Sequence, residues 1–206
     1  MDRQSRVFIV GGSSRARRVL AARVERFDLP SAVCPSAEEF FARLRPTDTG
    51  CVLLKISLPA VDLEVLKRRS ERGMHLPVVA ISELRDIALA VTAMKLGTRD
   101  FLDDSCSDEQ LAQAIEEAFR WGADHRRRIV RVQNIRRRVA RLDAGHRDVL
   151  NLVVAGRSNR EIAAELQLSV RSIEVRRARV MRTMRAQSLA DLVRQTLLGE
   201  GMDGGE

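Results

Sequence analysis

Four places in the first half of the chain carry residues able to handle phosphate or charge. They are Gly11 with Gly12, Lys55, Ser82, and Asp104 beside Asp103. Each lies at or near the end of a short apolar run, around residues 7–10, 51–56, 78–81 and 101–102. Carboxylates at such points could hold a magnesium ion, which wants hard oxygen ligands. Glycine brings no side-chain oxygen, and a lysine ammonium ligates no metal. Two other chemistries stay open for this set. Gly11-Gly12-Ser13-Ser14-Arg15 follows a strand and opens a helix, a place where phosphate can bind, with Lys55 and Ser82 able to help. The spacing is not GxGxxG, since Ser13 and Ala16 take the later glycine positions. Alternatively, Lys55 is held by an ion-pair partner, because a charge at the end of a buried strand needs a partner or water. Lys55 reaching solvent along its aliphatic stem is the competing reading. In the second half, Arg171, Val175, Ala178 and Arg182 recur at spacings of four, three and four. One helix face thus carries small apolar residues between arginines, and such a face can read base edges and hold phosphates.

The elements that must position these residues follow from the hydrophobic pattern. Strands are expected at 7–10, 32–34, 51–56, 77–81 and 101–102, alternating with helices. Helical apolar positions are Val19, Leu20, Ala22 and Val24, then Phe40, Phe41 and Leu44, then Leu63, Val65 and Leu66. Ile87, Ala90, Val91 and Met94 follow, with Gly97 as a stop, and then Leu111, Ile115 and Phe119. Ser36 with Glu39 and Ser107 with Gln110 read as capping boxes. Alternating strands and helices imply a doubly wound five-stranded parallel sheet covered on both faces. In such sheets functional residues gather beyond the carboxyl ends of the strands, where Gly11, Gly12, Lys55, Ser82 and Asp104 fall.

Residues 123–142 contain no proline or glycine, and Ile129, Val132, Ile135, Val139 and Leu142 recur every three or four residues. An amphipathic helix with a basic face is expected, continuous with the helix holding Phe119 and Trp121. Its short seam could pack on its own domains or join two copies. Four helices follow, the first marked by Val149, Leu150, Leu152 and Val153 and ending near Gly156, the second by Ile162, Ala163 and Leu166, the third by Ile173, Val180, Met181 and Met184, with Ser158, Ser169 and Ser188 as N-caps of the last three. The last carries Leu189, Leu192, Val193 and Leu197. A short helix, the turn Leu168-Ser169 and a long basic helix read as helix-turn-helix.

Charge is divided unevenly along the 206 residues. Residues 1–125 hold 18 Lys and Arg against 19 Asp and Glu, whereas residues 126–206 hold 18 Arg against 9 Asp and Glu. A net of −1 beside a net of +9 suggests two domains, the second with a polyanionic partner. Aromatics are few and tyrosine is absent, which argues against surfaces that stack bases. Cys34, Cys51 and Cys106 lack metal-ligand spacing. No stretch reaches the roughly 18 apolar residues of a membrane span, and the N-terminus lacks a signal-peptide pattern. A cytoplasmic, reduced protein is expected.

Residues 1–124 resemble the receiver domain of bacterial response regulators. The resemblance rests on FIVGG, LLKISLP, VVAIS, AVTAMKLGTRDFL and the spacing between them. It implies a CheY-like fold. In that family two acidic residues close the first strand and hold magnesium, and an aspartate ends the third strand and accepts phosphate. Ser or Thr ends the fourth strand, and Lys-Pro follows the fifth. Here Gly11 and Gly12 replace the acidic pair, Lys55 stands at the phosphoacceptor, and Asp104-Ser105 replaces Lys-Pro. Ser82 keeps the hydroxyl, and Phe101 falls at the switch aromatic. The glycine after Leu-Pro is missing, since Asp62 runs into Leu63. The frame is kept and the chemistry replaced. No aspartyl phosphorylation at this position and no magnesium site of the family type are expected. The lysine and aspartate of the family exchange places, which suggests a reversed ion pair.

The succession GRSNREIAAEL, SVRSIEVRRARVMRTM and SLADLVR strongly resembles DNA-binding domains of the LuxR/FixJ/NarL type. This resemblance implies a third helix in the major groove and a fourth that helps dimerise. By matching position Glu174, Val175 and Ala178 would face bases, while Arg171, Arg177, Arg179 and Arg182 hold phosphates. Asn159 and Arg160 would join them from the start of the preceding helix. Arg176, Arg177 and Arg179 would widen the basic surface, Arg176 standing where the family often has His.

Taken together, three domains are expected: a degenerate receiver over 1–124, a linker helix over 125–141 and an all-α helix-turn-helix domain over 142–206. The function implied is a sequence-specific transcription regulator, not an enzyme and without a cofactor or metal, independent of aspartyl phosphorylation. Its expected partners are double-stranded DNA with an inverted repeat, a second copy of the chain, and a protein on the receiver-like half; no membrane is expected. The alternative is a signalling adaptor whose receiver-like half binds a protein or a small anion.

Overall fold

A computed structural model describes residues 5–56, 63–69, 71–83 and 86–200. The chain divides into two compact units, Met1–Arg126 and Arg127–Glu206. In the first, strands β1 (Ser5–Gly11), β2 (Ser31–Cys34), β3 (Thr49–Ile56), β4 (Val78–Ser82) and β5 (Asp100–Asp103) alternate with helices. These are α1 (Ser14–Glu25), α2 (Ala37–Arg43), α3 (Glu64–Arg68) and α4 (Ile87–Lys95), with the first turns of α5 (Asp108–Ala140) closing the unit. The sheet is parallel with order β2-β1-β3-β4-β5. Its order reverses between β1 and β3, which makes their carboxyl ends the natural crevice of the fold.

Side-chain alternation explains the layering. Phe8, Val10, Val52, Leu54, Val78 and Ala80 pack on one face against Phe40, Val65, Leu66 and Ala93. Val7, Ile9, Cys51, Leu53, Val79 and Ile81 pack on the other against Leu20 and Val24 of α1 and Leu111, Ile115 and Ala118 of α5. Lys55 continues the odd-numbered set of β3, so the pleat carries it toward the α1–α5 face. The three cysteines are free, and burial pushes the Cys51 thiol pKa up.

Caps fix the helix starts. Ser107 Oγ accepts from Gln110 N at 3.2 Å while Ser107 N donates to Gln110 Oε1 at 2.9 Å, closing the box that opens α5. Asp108, in that first turn, takes Arg23 Nε at 2.7 Å and Arg26 Nη1 at 2.9 Å, tying α1 to α5.

Two apolar stripes differ from the sequence expectation. On α4, Ala93 is buried and Leu89 and Leu96 pack beside it. Ile87, Val91 and Met94 are exposed, Ile87 by 81%. That helix is apolar on more than one face, and spacing alone does not say which face meets the sheet. Val19 of α1 is likewise exposed while Leu20 and Val24 are buried.

The second unit begins on the last turns of α5 and continues with α6 (Ala144–Val154), α7 (Asn159–Glu165), α8 (Val170–Met184) and α9 (Leu189–Glu200). Ile135, Leu142, Val149, Leu150, Val153, Ile162, Ile173, Val180, Met184 and Leu192 form its core, with Val139 packed against it. The seam residues Ile135, Val139 and Leu142 are therefore covered within this unit. On α9 the buried stripe is Leu192, Gln195 and Thr196, whereas Leu189 and Leu197 are exposed. Gln195 tolerates burial because its Nε2 donates to Asp191 Oδ2 at 2.9 Å, and Thr196 Oγ1 donates to the Leu192 carbonyl at 3.0 Å. Among the described residues no helix is long and apolar enough to cross a membrane.

Candidate functional sites: a sheet edge and a helix face

The register brings the strand ends level. Gly11 pairs with Lys55, Lys55 with Ile81, Ile56 with Ser82, and Ser82 with Asp103. Asp104 N donates to the Ser82 carbonyl at 3.0 Å, so the chain leaving β5 stays over the end of β4. Gly11, Gly12, Lys55, Ser82 and Asp104 are thereby gathered at one edge. Ser57, Leu58, Pro59 and Asp62 lie outside the described residues. Phe101 pairs with Ala80 and is half-buried against the adjoining core.

Lys55 is 2% exposed, and its Nζ stands 2.6 Å from Asp104 Oδ1 and 3.4 Å from Glu83 Oε1. Neither contact has the direction of a hydrogen bond, and Nζ has no other such partner among the described residues. The compensation is therefore one of charge. It is also lopsided: the Asp104 side chain is 36% exposed and that of Glu83 73%. The anions keep much of their hydration while the cation is withdrawn from water, so each carboxylate offsets only part of the cost of burying Lys55. Asp104 as partner was legible from the reversed residue types. Glu83 was not singled out, although it directly follows Ser82.

Gly12 makes room for the lysine. A Cβ on Gly12 would lie 2.5 Å from Lys55 Cγ and 3.0 Å from its Cβ, and Gly12 has φ +65°. Any other residue there would be strained and would collide with the lysine stem. Arg17 secures the turn from outside, its Nη1 donating to the carbonyls of Gly11, at 3.2 Å, and Gly12. Gly12 and Lys55 thus form one packed unit.

These donors do not suit magnesium, which takes near-octahedral oxygen ligation. Positions 11 and 12 supply no side-chain oxygen. Asp104 faces a buried ammonium, and Asp103 Oδ1 accepts from Ser105 N at 2.8 Å. A small anion fares little better, because Glu83 and Asp104 already occupy the surroundings of Nζ.

The second site is a helix face. Asp143, Ser158 and Ser169 cap α6, α7 and α8 through side-chain oxygens. Between α7 and α8 the chain turns through Gln167 at φ 55°, and Leu168 N returns to the Ala163 carbonyl at 2.9 Å. With Ile173, Val180 and Met184 turned inward, the opposite side of α8 presents Arg171, Glu174, Val175, Ala178, Arg179 and Arg182, all exposed. Val175 is 65% exposed, a poor place for valine unless something covers it. At the start of α7, Arg160 is exposed and Asn159 Oδ1 accepts from Arg177 Nη1 at 2.8 Å. One guanidinium nitrogen of Arg177 is therefore engaged within the unit. Arg176 is half-buried and reaches back to the Gly145 carbonyl at 3.5 Å, where any residue larger than glycine would meet its Nη1. It serves packing between α6 and α8 and does not widen the exposed surface, which corrects the sequence expectation.

Comparison with known proteins matches both halves of the chain. Residues 7–116 match the response regulator receiver domain, and residues 145–196 match bacterial regulatory proteins of the luxR family. The transcriptional regulatory protein FixJ of Azorhizobium caulinodans is 35% identical over 193 residues, covering 93% of this chain and 92% of that protein. Full-length FixJ from B. japonicum has a similar structure, with TM-score 0.56 and 33% identity, covering 97% of this chain and 98% of that one. The structure of the response regulator StyR aligns with TM-score 0.77 and 26% identity over 94% of this chain and 98% of its own.

Proposed function

The chain belongs to the FixJ/LuxR-type response regulators, transcription regulators that join a receiver domain to a luxR-family helix-turn-helix domain, and from that premise we propose that its receiver is degenerate and works without aspartyl phosphorylation. The observation that carries this reading is the ammonium of Lys55, buried where the family has its phosphoacceptor and 2.6 Å from Asp104. The family's acceptor carboxylate and its lysine have exchanged places. A receiver so arranged already holds a positive and a negative group facing each other across the strand ends. It has no carboxylate at position 55 to phosphorylate, and no acidic pair at 11 and 12 to recruit a metal. We assign the receiver-like domain to 1–124, the linker helix to 125–141 and the DNA-binding domain to 142–206.

The output is sequence-specific binding of double-stranded DNA in the cytoplasm, without a cofactor and without catalysis. Glu174, Val175 and Ala178 face base edges, Glu174 suited to a cytosine amino group and the two apolar residues to thymine methyls. Arg171, Arg177, Arg179, Arg182, Asn159 and Arg160 hold phosphates and set the register. A homodimer reads an inverted repeat, as two-fold symmetry requires of paired helix-turn-helix units. Control then comes through a protein partner, through a ligand or through abundance. A second reading, an adaptor whose receiver-like half docks a protein, is favoured by the exposed Ile87, Val91 and Met94 of α4.

Selection of bound sites from random DNA at moderate salt, followed by footprinting, tests the output. Enrichment of an inverted repeat with two protected half-sites supports the reading. Binding without sequence preference would contradict it and leave the adaptor.

A further inference from the structure

The second unit contains a basic cleft that the helix-turn-helix does not use. About 610 Å³ in volume, it is lined by one stripe of α5, by the turn between α8 and α9, and by the first turns of α9. Arg127, Arg131 and Arg138 come from α5, Arg185 from the turn, and Arg194 and Asp191 from α9. No residue of α7 and none of the exposed α8 face lines it. Five guanidinium groups therefore face one carboxylate.

That carboxylate is committed. Asp191 takes Arg194 Nη2 at 2.7 Å, Gln195 Nε2 at 2.9 Å and Gln187 N at 3.1 Å. These partners hold its pKa below the usual range, Arg194 first among them. Arg138 is engaged too, donating to the Met184 carbonyl at 3.0 Å. Arg131 and Arg185 have no side-chain partner among the described residues, although both line the same concavity. Like charges converging in a cleft concentrate positive potential there, and a counter-charge that reaches several of them at once is the natural relief. Planar guanidinium groups bind phosphate oxygens in pairs. No aromatic side chain among the described residues lines the cleft, so nothing there would stack a base.

We propose that this cleft binds a small, multiply charged phosphate anion, with Arg131 and Arg185 as its principal ligands. The site lies on the DNA-binding unit yet outside its reading face. An occupant would bridge α5 to the α8–α9 turn and stiffen the segment that carries the recognition helix.

Sodium tripolyphosphate is the probe. It is titrated calorimetrically into the full chain at fixed ionic strength, with sulfate as the comparison anion and thermal midpoints checking the fold of each variant. Saturable binding is expected that sulfate does not match. Arg131→Gln with Arg185→Gln should weaken it about tenfold or more, since each lost charge-assisted hydrogen bond is worth roughly that factor. Arg171→Gln, on the DNA face, should leave it unchanged, and the double variant should keep operator affinity within about twofold. Binding no better than that of sulfate would overturn the proposal, as would equal binding by the double variant or loss in Arg171→Gln. A loss of DNA affinity in the double variant as large as its loss for tripolyphosphate would overturn it too, assigning the cleft to the DNA backbone.

Discussion

Lys55 Nζ and Asp104 Oδ1 stand 2.6 Å apart across the carboxyl edge of the sheet, the lysine buried and the aspartate at the water boundary. Removing the anion should therefore cost more than removing the cation. Asp104→Ala leaves a buried ammonium with only the largely exposed Glu83, 3.4 Å away, and a loss of about 1–3 kcal/mol is expected, below the full range for buried pairs because Asp104 is partly solvated and Glu83 remains. Lys55→Met replaces the charge by an apolar chain of similar length and should cost less than about 1 kcal/mol. Urea denaturation of both single variants and the double variant measures the coupling. Additive losses would show that the pair does not interact.

Gly12 and Lys55 share one volume. Gly12→Ala should destabilise the protein by about 2–4 kcal/mol, combining the strain of a positive φ with overpacking against the lysine stem. In a Lys55→Ala background only the backbone part should remain, about 1–2 kcal/mol. Equal costs in the two backgrounds would mean that the stem moves aside freely.

On α8, Glu174→Ala should change which sequence is preferred, shifting discrimination at one base pair by about 1–3 kcal/mol. Arg182→Ala should weaken binding to every sequence alike and reduce the salt slope by about one unit. Quantitative binding to a panel of operator variants at several salt concentrations separates the two effects.

Acid should destabilise both units. Asp108 has its pKa lowered from the ordinary 3.8, chiefly by the hydrogen bond from Arg23. Asp143 is lowered first by the backbone N–H of His146, and Glu161 by that of Ser158. A folded pKa below the unfolded one contributes stability that is fully present above the unfolded value. That stability is lost as pH falls through the folded value. Urea midpoints should hold between about pH 7 and 5 and decline below about pH 4. Asp108→Asn should lower the plateau and flatten the decline for the receiver-like unit.

The parallel sheet, the caps at Ser36, Ser107, Ser158 and Ser169 and the gathering of Gly11, Lys55, Ser82 and Asp104 were legible because they depend on local periodicity and on one topological rule, whereas the caps Ser13, Asp86 and Asp143 were not singled out. The approach of Lys55 to Asp104 was legible because a charge at the end of a buried strand needs a partner and the resemblance placed Asp104 beside it. The role of Gly12 was not, since a space filled by a neighbour's stem leaves no mark in a linear pattern. Nor was the split of α4, where Ile87, Val91 and Met94 make as good a stripe as Leu89, Ala93 and Leu96. Arg176 looked like its neighbours on the basic helix. Only the packing of α6 on α8 separates it from Arg179 and Arg182.

Incubating the full chain with acetyl phosphate and magnesium, then measuring both intact mass and operator affinity, addresses phosphorylation independence most directly. The expected result is no added phosphoryl group and an unchanged Kd. An acid-labile phosphoryl group on an aspartate of the receiver-like unit, accompanied by tighter operator binding, would contradict it.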